Sequence, residues 1–318
     1  MFGLLTLLLF GLALLVTLLA VMLAREMRRP PQHTAGYAVA HGMACDPGER
    51  GLDFDQWQLD RPDGAILPLW EARTKIPHTG LTAIFVHGWG HSRIDALARI
   101  EPFASLCDRL VFYDLRGHGD SQNCLSRLGH DEDRDLLALL ERLGADERFL
   151  LVGHSMGAVI AIAAAAGAAS RDEPIADRIA GVVAYGPYCE FHQSLQGRLR
   201  VAGYPRRPIT DLALFIHKVR GLSPRSLCEQ DAANLPCPLL VIHGREDCVS
   251  PLAHSTRIVA AARDATLHEI ADGGHLDGHL IDPIEHERVV REFINHATQP
   301  QSQVLIATKD PGTGVPGL

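Results

Sequence analysis

Leu150-Leu151-Val152-Gly153-His154-Ser155-Met156-Gly157-Ala158-Val159-Ile160 is the stretch on which the fold turns. A short apolar run stops at a glycine, a serine follows between flanking glycines, and an Ala-rich run continues to Ala169. In that setting the pattern G-x-S-x-G predicts a strand over Phe149–Val152, a sharp turn at Ser155 and a helix over Met156–Ala169. A serine hydroxyl acts as a nucleophile when a bent backbone holds it clear of the sheet. The glycines on either side let strand and helix close without a clash.

Working outward, the same alternation of buried strand and helix repeats. Strands are expected at Asp53–Leu59, Ala65–Glu71, Leu81–Val86, Leu110–Asp114, Ile179–Tyr185, Leu239–His243 and Thr266–Ile270. Helices are expected at Ile94–Leu106, Asp131–Leu143, Ser250–Ala262 and Ile284–His296. Short apolar runs bounded by Gly, Pro or Asp suit strands covered on both faces, and helices between them imply parallel pairing. The expected fold is therefore α/β, a mostly parallel doubly wound sheet that begins with an antiparallel hairpin at Pro62-Asp63-Gly64. Across about 189–235 the alternation lapses, and a small helical lid is expected there. The α/β body is expected over 53–297, and a flexible tail over 298–318.

Residues 1–24 form a different kind of segment. From Phe2 to Leu23 nothing is charged and nearly everything is Leu, Val, Ala, Phe or Gly. That is roughly the twenty residues needed to cross a bilayer. No basic residue precedes the run, and its length exceeds a signal core, so it reads as an uncleaved anchor. Arg25, Arg28 and Arg29 follow it, which by the positive-inside tendency puts the body in the cytoplasm. Pro30-Pro31 opens a polar connector over 25–52.

Composition narrows the partners. The 318 residues carry a net charge of −8, which gives no electrostatic footprint for nucleic acid. Cys45, Cys107, Cys124, Cys189, Cys228, Cys237 and Cys248 are scattered and odd in number, and read as thiols in a reducing compartment.

Four further motifs surround the serine in sequence order: Val86-His87-Gly88-Trp89-Gly90, then Asp114-Leu115-Arg116-Gly117-His118-Gly119-Asp120-Ser121, His243-Gly244-Arg245-Glu246-Asp247, and Gly273-Gly274-His275. Together with the serine turn they resemble the α/β-hydrolase superfamily over roughly Asp53–His296, and within it the Bem46-like and monoacylglycerol-lipase-like serine hydrolases, a branch of serine-aminopeptidase type. The resemblance implies a triad of Ser155, Asp247 and His275, in that family's chain order. It also implies an oxyanion hole from the backbone N–H groups of Trp89 and Met156. Such chemistry needs neither a metal nor an organic cofactor.

Each residue has a plainer competitor. Asp247 could cap the helix starting near Ser250-Pro251, and Glu190, just past a strand end, is the rival acid. His268, His279 and His286 compete with His275, but only His275 follows a Gly-Gly loop after the last strand. His279 and Asp277 suggest a metal site, yet lack further ligands at ligand spacing. His118, His154 and Arg116 read as loop architecture. The leading expectation is an ester or thioester hydrolase acting on an acyl lipid or another amphiphile near the membrane. An amide or peptide hydrolase, an acyltransferase and a non-catalytic binding module are the alternatives.

Overall fold

The computed structural model describes residues 2–299, apart from 77, 78, 122, 145 and 228. Its described strands are β1 Asp53–Asp60, β2 Ile66–Arg73, β3 Leu81–Val86, β4 Arg109–Tyr113, β5 Arg148–His154, β6 Ile179–Tyr185, β7 Leu239–Gly244 and β8 Ala265–Ile270. They form one sheet in the order β1-β2-β4-β3-β5-β6-β7-β8. β1 and β2 pair antiparallel, as do β2 and β4, and every later pairing is parallel. The mostly parallel sheet with a leading hairpin is thus the fold the sequence implied.

Alternation along the buried strands feeds two cores. Ile84 and Val86 of β3 face one side, with Leu136, Ala158, Ile162 and Ile258. Ala83 and Phe85 face the other, with Ile94, Phe103, Val290 and Phe293. Helices cover both faces, so the strands read as continuous apolar runs.

One expected helix is corrected. Ile94–Leu106 is not continuous: it breaks into Arg93–Ala96, a 3-10 turn at Leu97–Arg99, and Glu101–Ala104. Pro102 has no N–H to give and its ring crowds the preceding turn, so an unbroken helix cannot pass through it.

Between β6 and β7 lie the helices Phe191–Val201, Ile209–Val219 and Glu229–Ala233. The N-terminal helix runs Phe2–Met27 and is long and apolar enough to cross a membrane. Its outer residues are exposed, but Ala20, Ala24 and Met27 are buried, the last two in one cluster with Leu128, Leu195, Ala213 and Leu222. The segment beyond it is held as well. The Arg28 Nε donates to the Ser126 carbonyl at 3.1 Å, Gln32 Nε2 to the Gly117 carbonyl at 2.9 Å, and His33 Nδ1 meets Asp95 at 3.0 Å. The stretch expected as a polar connector is docked onto segments that follow β3 and β4.

Cys45, Cys107, Cys124, Cys237 and Cys248 stay as thiols, whereas Cys228 and the expected tail beyond residue 299 lie outside the described residues.

Glu132, at the start of the helix Glu132–Leu143, gives the fold a pH dependence. It is fully buried, one carboxylate oxygen accepts from Arg127 N at 2.8 Å, and the other has no partner. Burial pushes its ionisation up from 4.5 to about 7, against the pull of the Arg127 N–H. The folded state therefore holds a proton that the unfolded chain gives up, so stability falls as pH rises from about 4.5 to about 7. Glu132→Gln, which fixes the neutral shape, should stabilise the protein by about 1–3 kcal/mol above pH 7 and by little near pH 4. Urea midpoints at the two pH values check this; an equal difference at both would show that the carboxyl ionises freely in the fold.

Candidate active site

β5 ends at His154, and Ser155 follows with φ 53 and ψ −112, a left-handed conformation that side chains other than glycine rarely take. Its N–H is fixed by the Tyr185 carbonyl at 2.7 Å, and the helix Met156–Ser170 begins at the next residue. The flanking glycines are sterically required. A Cβ on Gly157 would run into the Val86 carbonyl, and one on Gly153 into Ala158 Cα. Small side chains continue the theme: nearly every residue of that helix is buried against the sheet.

The sheet brings three distant residues together. Ser155 Oγ lies 3.1 Å from His275 Nε2, and His275 Nδ1 lies 2.7 Å from Asp247 Oδ2. Asp247 follows β7, and His275 stands on the loop after β8. An ionised carboxylate can only accept, so it holds the proton on Nδ1 and leaves the Nε2 lone pair facing the serine hydroxyl.

Asp247 is buried, and burial alone would raise its ionisation. Hydrogen bonds from His243 and His275, the charge His275 carries when it is protonated, and the Ser250 N–H outweigh that, and hold the carboxyl well below the usual carboxylate range. Oδ1 accepts from Val249 N at 2.7 Å and Ser250 N at 2.8 Å. The capping role and the histidine contact thus belong to the same side chain, one oxygen each. His243 braces this loop from within. Its Nε2 donates to the Ser250 carbonyl at 2.7 Å and sits 3.3 Å from Asp247, while Nδ1 accepts from Ser255 Oγ.

The expected oxyanion donors, Trp89 and Met156, both line the cavity that holds Ser155. Gly88 sits against Ser155, a Cβ there coming within 3.4 Å of the serine Cβ. Trp89 follows directly, and Met156 is the first residue of its helix and so without an intrahelical acceptor. Neither amide is engaged by another described residue. His87 holds the loop: Nδ1 donates to the Gly88 carbonyl at 2.8 Å and Nε2 accepts from Leu115 N at 3.0 Å. Burial lowers its ionisation to about 4, so it stays neutral.

The competitors lie elsewhere. Glu190 pairs with Arg257 at 3.0 Å. Arg116 grips Asp135 through two nitrogens and Asp63 through a third. His118 Nδ1 donates to the Arg116 carbonyl, and His154 stacks on Tyr185. His279 packs edge-on against His286, and no cluster of three metal-ligating side chains occurs among the described residues.

Above Ser155 opens a largely apolar cavity of about 380 Å3. Tyr188, Leu195, Arg198 and Leu199 line one wall; Leu19, Met22, Leu23 and Met27 of the N-terminal helix line the other. The Trp89 indole donates to the Met27 carbonyl at 2.8 Å, tying the oxyanion loop to the end of that helix. The sequence reading missed this wall, because an apolar run of that length carries no mark of which face packs inward.

The sequence profile described as "Alpha/beta hydrolase family" matches residues 83–292, well over half of the chain. The chain belongs to the alpha/beta hydrolase family. Among members of that family, it is 29% identical over 229 residues to a pimeloyl-[acyl-carrier protein] methyl ester esterase of Chromobacterium violaceum, covering 62% of this chain and 87% of that one. An esterase of Pyrococcus furiosus superposes with a TM-score of 0.65 at 20% identity, over 85% of this chain and 98% of the other. A membrane phospholipase A superposes with a TM-score of 0.59 at 15% identity, over 94% of this chain and 98% of the other. At such identities the two structures speak to the alpha/beta hydrolase fold alone.

Proposed function

We propose that the protein is a membrane-anchored serine hydrolase that cleaves a carboxylic ester or thioester of an acyl lipid or similar amphiphile, within the monoacylglycerol-lipase-like part of its family. The observation that carries this reading is the unbroken Ser155–His275–Asp247 hydrogen-bond chain opening onto an apolar pocket. The esterase relative from Chromobacterium violaceum is consistent with ester chemistry.

In this mechanism His275 Nε2 takes the Ser155 proton as Oγ attacks the acyl carbonyl. Asp247 keeps the imidazole in the tautomer that can do so and steadies its positive charge. The developing oxyanion is met by the backbone N–H groups of Met156 and Trp89. Losing one such donor costs about 2.7–4 kcal/mol of transition-state stabilisation. His275 then protonates the leaving group, and a water molecule activated by the same nitrogen releases the acyl group from Ser155. Every proton moves between groups this chain supplies, the substrate and water.

The helix Phe2–Met27 serves as the anchor in this reading, and its pocket-lining face admits an acyl chain beside the bilayer. Arg25, Arg28 and Arg29 at its inner end support a cytoplasmic body. A graded series of p-nitrophenyl esters tests the pocket. Replacing Leu19, Met22 and Leu23 together by serine should lower kcat/KM for a dodecanoyl ester at least ~10-fold more than for a butyryl ester, because each buried methylene contributes about 0.8 kcal/mol. Equal losses on both esters would mean that the helix does not hold the acyl chain. Protease access to the C-terminus in sealed inside-out vesicles, and protection in right-side-out ones, is the expected result for the topology.

A further inference from the structure

Two residues that line the cavity above Ser155 carry polar groups with no partner among the described residues. The Tyr188 hydroxyl is buried and has no hydrogen-bond partner among the described residues. Arg198 lies on the same wall, its guanidinium 5.3 Å from the centre of the Trp89 ring, and no carboxylate among the described residues pairs with it. The two are close enough that each alters the other's ionisation.

The fold forces Arg198 inward. The helix Phe191–Val201 meets the loop after Asp247 at Gly197, where a Cβ would collide with the Val249 and Cys248 carbonyls. With the helix pinned at that residue, the next side chain turns into the pocket. The basic residues Arg206 and Arg207 of the same insertion are exposed and solvated. Glu26, the other charged residue of the lining, is exposed on the N-terminal helix and makes no ion pair with Arg198 among the described residues.

A half-buried cation in an apolar cavity is ordinarily paired, and a buried hydroxyl ordinarily bonded. The Trp89 face offsets part of the cation's cost but leaves its N–H fork unspent. Burial raises the ionisation of Tyr188, so its hydroxyl remains a donor at neutral pH. Two donors, one of them charged, thus lie near one another in the lining of a largely apolar cavity. That is a geometry for a carboxylate or phosphate.

We propose that Arg198 and Tyr188 form an anion-recognition pair inside the acyl pocket, so that the preferred substrate is an acyl amphiphile bearing a phosphate or carboxylate group. The proposal rests on the assignment of Ser155 as nucleophile and deepens it by naming a substrate class.

The test uses the full chain in neutral detergent and follows fluorophosphonate labelling of Ser155 under competition from dodecyl phosphate, dodecanoate or dodecanol. In the wild type at least one of the two anions should protect at ~10-fold or more lower concentration than the alcohol, a difference of about 1.4 kcal/mol. Which anion does so distinguishes phosphate from carboxylate. Arg198→Gln should bring the ratio of anion to alcohol within about twofold of unity, Arg198→Lys should keep part of it, and Tyr188→Phe should lower it about threefold. Equal protection by all three competitors in the wild type overturns the proposal whether or not any variant folds. So does a ratio that survives Arg198→Gln. Absence of labelling in the wild type would overturn the nucleophile assignment itself, a separate and recognisable failure.

Discussion

Ser155→Ala and His275→Ala should each lower kcat by at least ~10³-fold, with the double variant barely worse than either single one. The two side chains act as one unit: the hydroxyl is a poor nucleophile without the base, and the base has nothing to deprotonate without the hydroxyl. Their 3.1 Å contact is the only link between β5 and the loop after β8 that this chemistry requires. What remains in the double variant is substrate binding and the oxyanion donors, which neither substitution touches. Losses that add instead of saturating would mean that the imidazole serves some step other than activating this serine. Steady-state kinetics on a soluble ester, with thermal unfolding as a check on folding, separates the outcomes.

Asp247→Asn should cost about 10⁴-fold in kcat, whereas Glu190→Gln should stay within about threefold of the wild type. The size of the first effect follows from how the carboxylate is divided. Oδ1 accepts from the Val249 and Ser250 N–H groups, and Oδ2 faces His275. An asparagine would keep its carbonyl on those two backbone donors and so turn its NH2 toward Nδ1. The imidazole would then accept at Nδ1 and carry its proton on Nε2, pointing N–H at a serine that needs a lone pair. Glu190 is spent on Arg257 at the surface. A ranking in the opposite order would move the acid to the end of β6.

The contrast between these two acids also shows how far the sequence could be read. The Gly153–Gly157 turn, the order of serine, acid and histidine, and the alternating apolar runs depend on local chemistry: backbone strain, glycine clearance and strand burial. Such features are legible residue by residue, and β3 and β6 fall on the expected residues. Pro102 carried a local signal too, but a weaker one than the apolar spacing around it, and so the broken helix near Phe103 was hidden. Features that depend on which surfaces meet were not legible. Nothing in the run Phe2–Leu23 marks Leu19, Met22 and Leu23 as a pocket wall, and nothing in Arg25–Gln32 marks the contacts to Ser126 and Gly117. In the sequence Arg198 stands among other basic residues of the insertion, Arg200, Arg206 and Arg207. Its inward turn follows from Gly197 meeting a loop some fifty residues further along the chain, a contact that exists only once β6 and β7 are paired.

Whether Ser155 becomes covalently modified, and only when His275 is present, tests the account most directly. After treatment of the full chain with a fluorophosphonate, peptide mapping by mass spectrometry should find the adduct on Ser155 in the wild type. The adduct should be absent in Ser155→Ala and at least ~10³-fold slower to form in His275→Ala. An adduct on another residue, or labelling of Ser155 at an undiminished rate without the imidazole, would contradict the account.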